Sequence, residues 1–253
     1  MLNYKIVNNN CEDKWLVLCH GFGGNHHTWE CQLPDLTSYN IVMIDLPFHG
    51  ESMNFKKNFK VCCLNNAIKH ILDKENIQSA DFAGISLGTM VVANFTKQYP
   101  QYVKKILLVG SAVEVSFALK AVAVVLYTLR EKLPYKQLCK VAVAAIEPSN
   151  KNKEDRTAII SGLNSMSKEQ MINWVEYIGS TIFSKNLIHC LKNKKKDFFF
   201  ISGIYDTFFL SGAKKTAKEL SDKAIHVLQG CSHICNADDP TNFNDIMVDF
   251  LET

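Results

Sequence analysis

Along the chain, short runs of consecutive apolar residues alternate with stretches in which apolar positions recur every three or four residues. A run of four to eight apolar residues bounded by turn formers reads as a buried strand, and the 3.6-residue recurrence as an amphipathic helix. Strands are accordingly predicted at "KWLVLCHG" (14–21), "YNIVMIDLP" (39–47), "SADFAGIS" (79–86), "KKILLVGSA" (104–112), "DFFFISGIYD" (197–206) and "AIHVLQG" (224–230). Helices fit between them. One is expected over 87–98, stopped by Pro100, and the last starts at "DDPTNFNDIMVDFL" with Asp239 as N-cap and Pro240 at the first helical position. Strands alternating with helices predict an α/β fold, a mostly parallel central sheet flanked by helices.

One interval breaks the alternation. Residues 113–196 contain no convincing strand but several helical segments, including a capping-box pattern of Ser167 and Gln170 ahead of "MINWVEYI". This predicts a helical cap (113–196) inserted into a core made of 1–112 and 197–253. Within it, "VSFALKAVAVVLYTLREKL" (115–133) is apolar around most of its circumference. Two readings stay open there: all of it is cap core, or one side lines a pocket.

Composition narrows the function classes. The chain has 253 residues, 47% hydrophobic and 21% charged, enough for a sizeable core. A net charge of +3 gives no argument for nucleic acid, and "KNKKKD" (192–197) reads as solvated surface. The opening "MLNYKIVNNN" has no cleavable apolar core, and the longest apolar stretch carries Lys120 and falls short of the ~20 residues a bilayer needs. The expectation is a soluble, cytoplasmic protein with no membrane span. Nine scattered cysteines, an odd count, predict reduced thiols. Cys231-Ser232-His233-Ile234-Cys235 lacks an evident fourth ligand nearby, so no metal and no cofactor are expected.

The chemistry gathers at strand ends. In Gly84-Ile85-Ser86-Leu87-Gly88, a serine lies between two glycines where a predicted strand meets a predicted helix, the pattern of a nucleophile elbow. A serine hydroxyl needs a base, and the base needs a third group to orient it. Asp206 ends "FFFISGIYD" and His233 follows the last strand in "LQGCSHI", at the same sheet edge. Glu114, just after the preceding strand, is the rival acid. The other histidines fit less well: His226 lies in a strand, His20, His26, His27 and His49 in loops, and His70 and His189 in helical stretches. A developing oxyanion needs preorganised donors. The backbone N–H of Leu87 is one candidate, and that of Phe22 in the glycine-rich turn "HGFGG" (20–24) is the other. Neither phosphate-loop pattern, G-x-x-x-x-G-K-[ST] or G-x-G-x-x-G, is present.

With "HGFGG", "DLPFHGES", "GISLG", "GIYD" and "GCSH" in this order, the chain resembles the α/β-hydrolase superfamily over essentially its whole length. Within it, the chain is similar to small capped members such as the carrier-protein methyl esterases and the menaquinone-pathway lyases. The resemblance implies Ser86 as nucleophile, Asp206 as acid and His233 as base, with Phe22 and Leu87 as the oxyanion hole. The reading that follows is hydrolysis of a small carboxylic ester or thioester, the apolar cap segment and Phe48 pointing to an apolar acyl group; C–C cleavage, acyl transfer or a non-catalytic ligand receptor are the alternatives. Serine at position 86 argues against haloalkane dehalogenases and epoxide hydrolases. Two departures stand out: Phe48 occupies a usual glycine of D-x-P-G-x-G-x-S, and Thr89-Met90 replaces the arginine-containing stretch of the lyases. Phe48, Trp29 and Trp174 are the aromatic candidates for the substrate pocket. The oligomeric state is not legible.

Overall fold

The apolar runs in the middle of the chain become central strands because both of their faces are covered. In a computed structural model of the chain, seven strands among the described residues form one sheet in the order β1-β3-β2-β4-β5-β6-β7. They are β1 (Tyr4–Val7), β2 (Trp15–Cys19), β3 (Asn40–Ile44), β4 (Ala80–Ile85), β5 (Val103–Val109), β6 (Asp197–Gly203) and β7 (Ile225–Leu228). Every neighbouring pair is parallel except β1 with β3. The structure describes residues 1–115, 153–182, 187–194, 196–220 and 225–253, with the isolated positions 120, 124, 128, 134, 137 and 184.

Among the described residues the helices with defined bounds are α1 (Val61–Lys74), α2 (Leu87–Gln98), α3 (Lys153–Ser165), α4 (Lys168–Ile182), α5 (Leu187–Lys192), α6 (Leu210–Leu220), α7 (Cys235–Asp238) and α8 (Pro240–Glu252). Alternate strand residues feed two cores. Val17, Val42, Phe82, Leu108 and Phe200 pack with α1, α2, α4 and α6. Leu16, Ile41, Ala83, Leu107 and Ile201 point the other way, onto α8 and a 3₁₀ segment over His26–Asp35. Between β5 and β6 the described residues hold helices α3 to α5 and no strand. Most of the apolar segment 115–133 lies outside the described residues.

Both helix-start readings agree with the structure. Asp239 accepts from Asn242 N–H at 3.3 Å with Pro240 at the first position of α8. Ser167 and Gln170 exchange both capping bonds, at 2.8 and 3.2 Å. Two differences have physical causes. The strands end before the apolar runs do: β3 stops at Ile44 because Asp45 turns its carboxylate back to accept from His26 N–H at 2.8 Å and Glu51 N–H at 2.9 Å. β1 was not expected, since "YKIV" is a four-residue, half-exposed edge strand whose pairing comes wholly from β3.

The chain runs β2 to β3 in one direction along the sheet and then crosses back to β4. The carboxyl ends of β2 and β4 thus flank a topological switch point, where open α/β sheets place their ligands. The two elbow glycines make this crossing close. A Cβ on Gly84 would meet Gly88 C at 2.5 Å, and one on Gly88 would meet Cys19 O at 2.3 Å. Gly88→Ala should therefore cost about 1–3 kcal/mol despite alanine's better helix propensity. Urea unfolding checks this, and a midpoint at or above that of the parent chain would contradict it.

Candidate active site

β4 delivers Ser86 into a sharp turn at φ 51, ψ −112. Non-glycine residues populate this region at a cost of roughly 1–3 kcal/mol, and the surrounding bonds hold it there. Ser86 N–H donates to Val109 O at 2.9 Å, which ties the elbow to the end of β5. The Ser86 carbonyl accepts from Thr89 N–H at 2.9 Å and from Thr89 Oγ1 at 2.5 Å. That hydroxyl in turn accepts from Ala112 N–H at 2.9 Å. Thr89, noted in the sequence only as a departure, thus fastens the elbow to the chain leaving β5.

Asp206 and His233 meet beside the same strand. His233 Nδ1 donates to Asp206 Oδ2 at 2.9 Å, and both side chains are buried. The other carboxylate oxygen accepts from Phe209 N–H at 3.4 Å, and the Asp206 carbonyl accepts from Leu210 N–H at 3.0 Å at the start of α6. The Phe209 ring stacks on the imidazole with centroids 4.5 Å apart. Gly110, which follows the Ser86-bonded Val109, lies against His233: a Cβ there would sit 3.0 Å from Cε1 and Nδ1. The end of β5 therefore touches both the elbow and the histidine. With Nδ1 as donor to a carboxylate, Nε2 is the acceptor nitrogen of a neutral imidazole. Glu114 is instead ion-paired with Lys215.

The "HGFGG" turn closes through Gly24 N–H to Gly21 O at 3.1 Å, with Gly23 at φ +83. Positive φ at the third position is what a type II turn needs, so glycine fits there. A Cβ on Gly21 would lie 3.5 Å from Ser86 Cβ, so turn and elbow are in contact. Leu87 begins α2, and its N–H has no carbonyl within the helix to pair with. On its outer side the turn meets α3 backbone to backbone. A Cβ on Gly162 would stand 2.1 Å from Gly23 O, and Ile159 and Leu163 close over Gly23.

Two buried histidines hold the turn from within. His20 Nδ1 donates to Gly21 O at 2.7 Å, while its Nε2 accepts from Leu46 N–H at 3.0 Å. His49 Nδ1 donates to Pro47 O at 2.9 Å, while its Nε2 accepts from Gly23 N–H at 2.9 Å. Burial lowers the His20 pKa to about 4. Burial, and then the neighbouring His20, hold His49 well below the usual histidine range. Both rings are therefore neutral at pH 7. Burial would raise the Asp45 pKa, but bonds from Glu51 N–H, His26 and Asn3 outweigh it and leave the carboxyl below its ordinary value.

The aromatic candidates separate. Trp174 on α4 is buried, donates from Nε1 to Pro47 O at 2.9 Å and meets the rings of Phe22, His49 and Phe59. Phe48, at φ +63, is buried with its ring against Phe59. Trp29 lies in the core on the opposite face of the sheet. Among the described residues no group of His, Cys, Asp or Glu is arranged to hold a metal, and no helix is long and apolar enough to cross a membrane. Cys231 donates its thiol to Gln229 O at 3.5 Å, and burial raises the Cys235 pKa well above the usual thiol value.

A parallel sheet with an elbow serine at its switch point and a buried Asp–His pair at the same edge is the architecture of an α/β hydrolase. The chain belongs to the alpha/beta hydrolase fold family, whose model matches residues 14–240. It is 36% identical over 98 residues to the dihydrolipoyllysine-residue acetyltransferase component of the acetoin cleaving system of Pseudomonas putida, covering 38% of this chain and 26% of that protein. It is 32% identical over 98 residues to the pimeloyl-[acyl-carrier protein] methyl ester esterase of Citrobacter koseri, covering 38% of this chain and 36% of that one. The matched segments thus span well under half of these relatives. The structure of MenH from S. aureus superposes with a TM-score of 0.79 at 22% identity, over 100% of this chain and 98% of that one, a likeness of fold.

Proposed function

We propose that the protein is a serine hydrolase that cleaves a small carboxylic ester or thioester through an acyl-enzyme on Ser86. The observation that carries this reading is the buried His233–Asp206 hydrogen bond of 2.9 Å, at the strand end that also anchors the elbow. In the first half-reaction His233 Nε2 takes the Ser86 hydroxyl proton as Oγ bonds to the acyl carbon. The N–H groups of Phe22 and Leu87 hold the oxyanion. Collapse breaks the acyl–oxygen or acyl–sulfur bond, and His233 returns the proton to the leaving group. Water then enters, gives a proton to the same nitrogen as its oxygen bonds to the acyl carbon, and cleavage of the Ser86 Oγ–acyl bond releases the acid as His233 returns that proton to Oγ. Asp206 keeps Nδ1 protonated and stabilises the imidazolium. The helices between β5 and β6 serve as the cap: α3 lies on the turn and Trp174 of α4 beside Phe22.

The test is labelling by a fluorophosphonate, which reacts with an activated serine and not with an inert one. Labelling lost in Ser86→Ala, with ester or thioester turnover, is the expected result; an unlabelled, folded protein overturns the reading. A second reading, acyl transfer to an acceptor other than water, is favoured by the acetyltransferase relative. Product analysis with and without a thiol or alcohol acceptor separates the two.

A further inference from the structure

We infer that His20 and His49 are positioning residues, which fix the direction of the Phe22 N–H by pinning its own peptide plane and the next one. The inference rests on the proposed role of that N–H as an oxyanion donor.

A peptide unit is planar and trans, so its C=O and N–H point in opposite directions. The Phe22 N–H belongs to the same unit as the Gly21 C=O, and no peptide among the described residues is cis. That carbonyl is held by two donors, Gly24 N–H at 3.1 Å and His20 Nδ1 at 2.7 Å. Fixing the carbonyl fixes the N–H on its far side. The next unit, Phe22 C=O with Gly23 N–H, is held by the bond from Gly23 N–H to His49 Nε2 at 2.9 Å. Turning the Phe22 N–H away from its direction requires breaking one of these bonds.

The two rings work in opposite senses. His20 acts on the turn as a donor through Nδ1, and its Nε2 is occupied by Leu46 N–H. His49 acts on the turn as an acceptor through Nε2, and its Nδ1 is occupied by Pro47 O. Each ring must be neutral, with its proton on Nδ1, to satisfy both bonds. The His20 bond also polarises the Gly21–Phe22 amide, which strengthens its N–H as a donor, since linked hydrogen bonds reinforce one another.

The opposite senses give a test in which two isosteres change places. Asparagine carries an amide N–H near the position of a histidine Nδ1, and glutamine carries an amide oxygen near that of Nε2. His20→Asn keeps the donor to Gly21 O and His20→Gln loses it; His49→Gln keeps the acceptor for Gly23 N–H and His49→Asn loses it. Removing an oxyanion donor outright costs about 10²–10³ in kcat. His20→Gln and His49→Asn should lose roughly 10- to 100-fold in kcat with KM little changed, a displaced donor being less damaging than an absent one. His20→Asn and His49→Gln should keep most of kcat. Amide hydrogen exchange read by NMR supplies a second measure, independent of turnover. The Gly23 amide should stay protected in the parent protein and in His49→Gln, and exchange faster in His49→Asn.

A kcat that follows melting temperature, or that ignores which isostere is present in an active enzyme, overturns the inference. Gly23 exchange that does not distinguish the two His49 variants overturns it as well. The exchange pattern in a protein with no fluorophosphonate labelling and no ester turnover would mean instead that the functional reading has failed while the two rings still pin the turn.

Discussion

Replacing Ser86 by alanine should lower kcat by about 10⁴–10⁶ and leave the fold standing. Both halves of that result follow from the geometry. The bonds that hold the elbow are made by the backbone of Ser86, to Val109 O and from Thr89, and alanine keeps every one of them. Alanine meets the same steric cost at φ 51 as serine does. Only the hydroxyl is lost, and with it the proposed acyl-enzyme route. His233→Ala should fall to a similar level, and the double variant little further, because the proposed nucleophile and base would act as one unit. Steady-state kinetics on a hydrolysed ester, with thermal melting of each variant, checks the set. A Ser86→Ala protein that retained a tenth of the parent kcat would end the case for a serine nucleophile.

Asp206→Asn should lower kcat by roughly 10⁴, and Glu114→Gln should leave it close to the parent value. An asparagine amide facing Nδ1 with its NH₂ group favours the tautomer with the proton on Nε2, which disables the base. The asparagine oxygen can still accept from Phe209 N–H, so the start of α6 keeps its bond. Glu114 spends its carboxylate on Lys215 near the surface, and removing its charge leaves the His233 environment as it was. Kinetics on both variants decides between the two acids. Near-parental activity in Asp206→Asn together with collapse in Glu114→Gln would reverse the assignment.

The parts of this molecule legible in the sequence are those governed by local pattern. Buried strands announce themselves as unbroken apolar runs, and Asp239-Pro240 or Ser167 with Gln170 carry their capping chemistry within one helical turn. Ser86, Asp206 and His233 were legible as candidates because each stands where a predicted strand ends. Edge strand β1 was not, because four half-exposed residues gain their structure from a partner about forty positions away. The same limit hid the roles of His20, His49 and Thr89. The motifs "HGFGG" and "DLPFHGES" place the two histidines in loops, but which nitrogen donates and which accepts depends on backbone groups of another segment. Phe48 reads as an intruder in a glycine position, while in the fold its ring is packed out of solvent against Phe59.

The crossing of Gly23 and Gly162 bears on how such a molecule could be rebuilt. Two segments 139 positions apart touch there, and neither glycine places a side chain of its own between the two backbones. An insertion transplanted from a relative could carry any residue on the outer surface of the corresponding helix, yet at this crossing even an alanine methyl would press on the carbonyl of Gly23. The turn and the helix above it thus form a matched pair. A chimera that respects only sequence length and hydrophobicity would move the helix, the turn or both. Recombination between members should succeed most often when the "HGFGG" segment and the residues around 162 are exchanged together, as a single inherited piece.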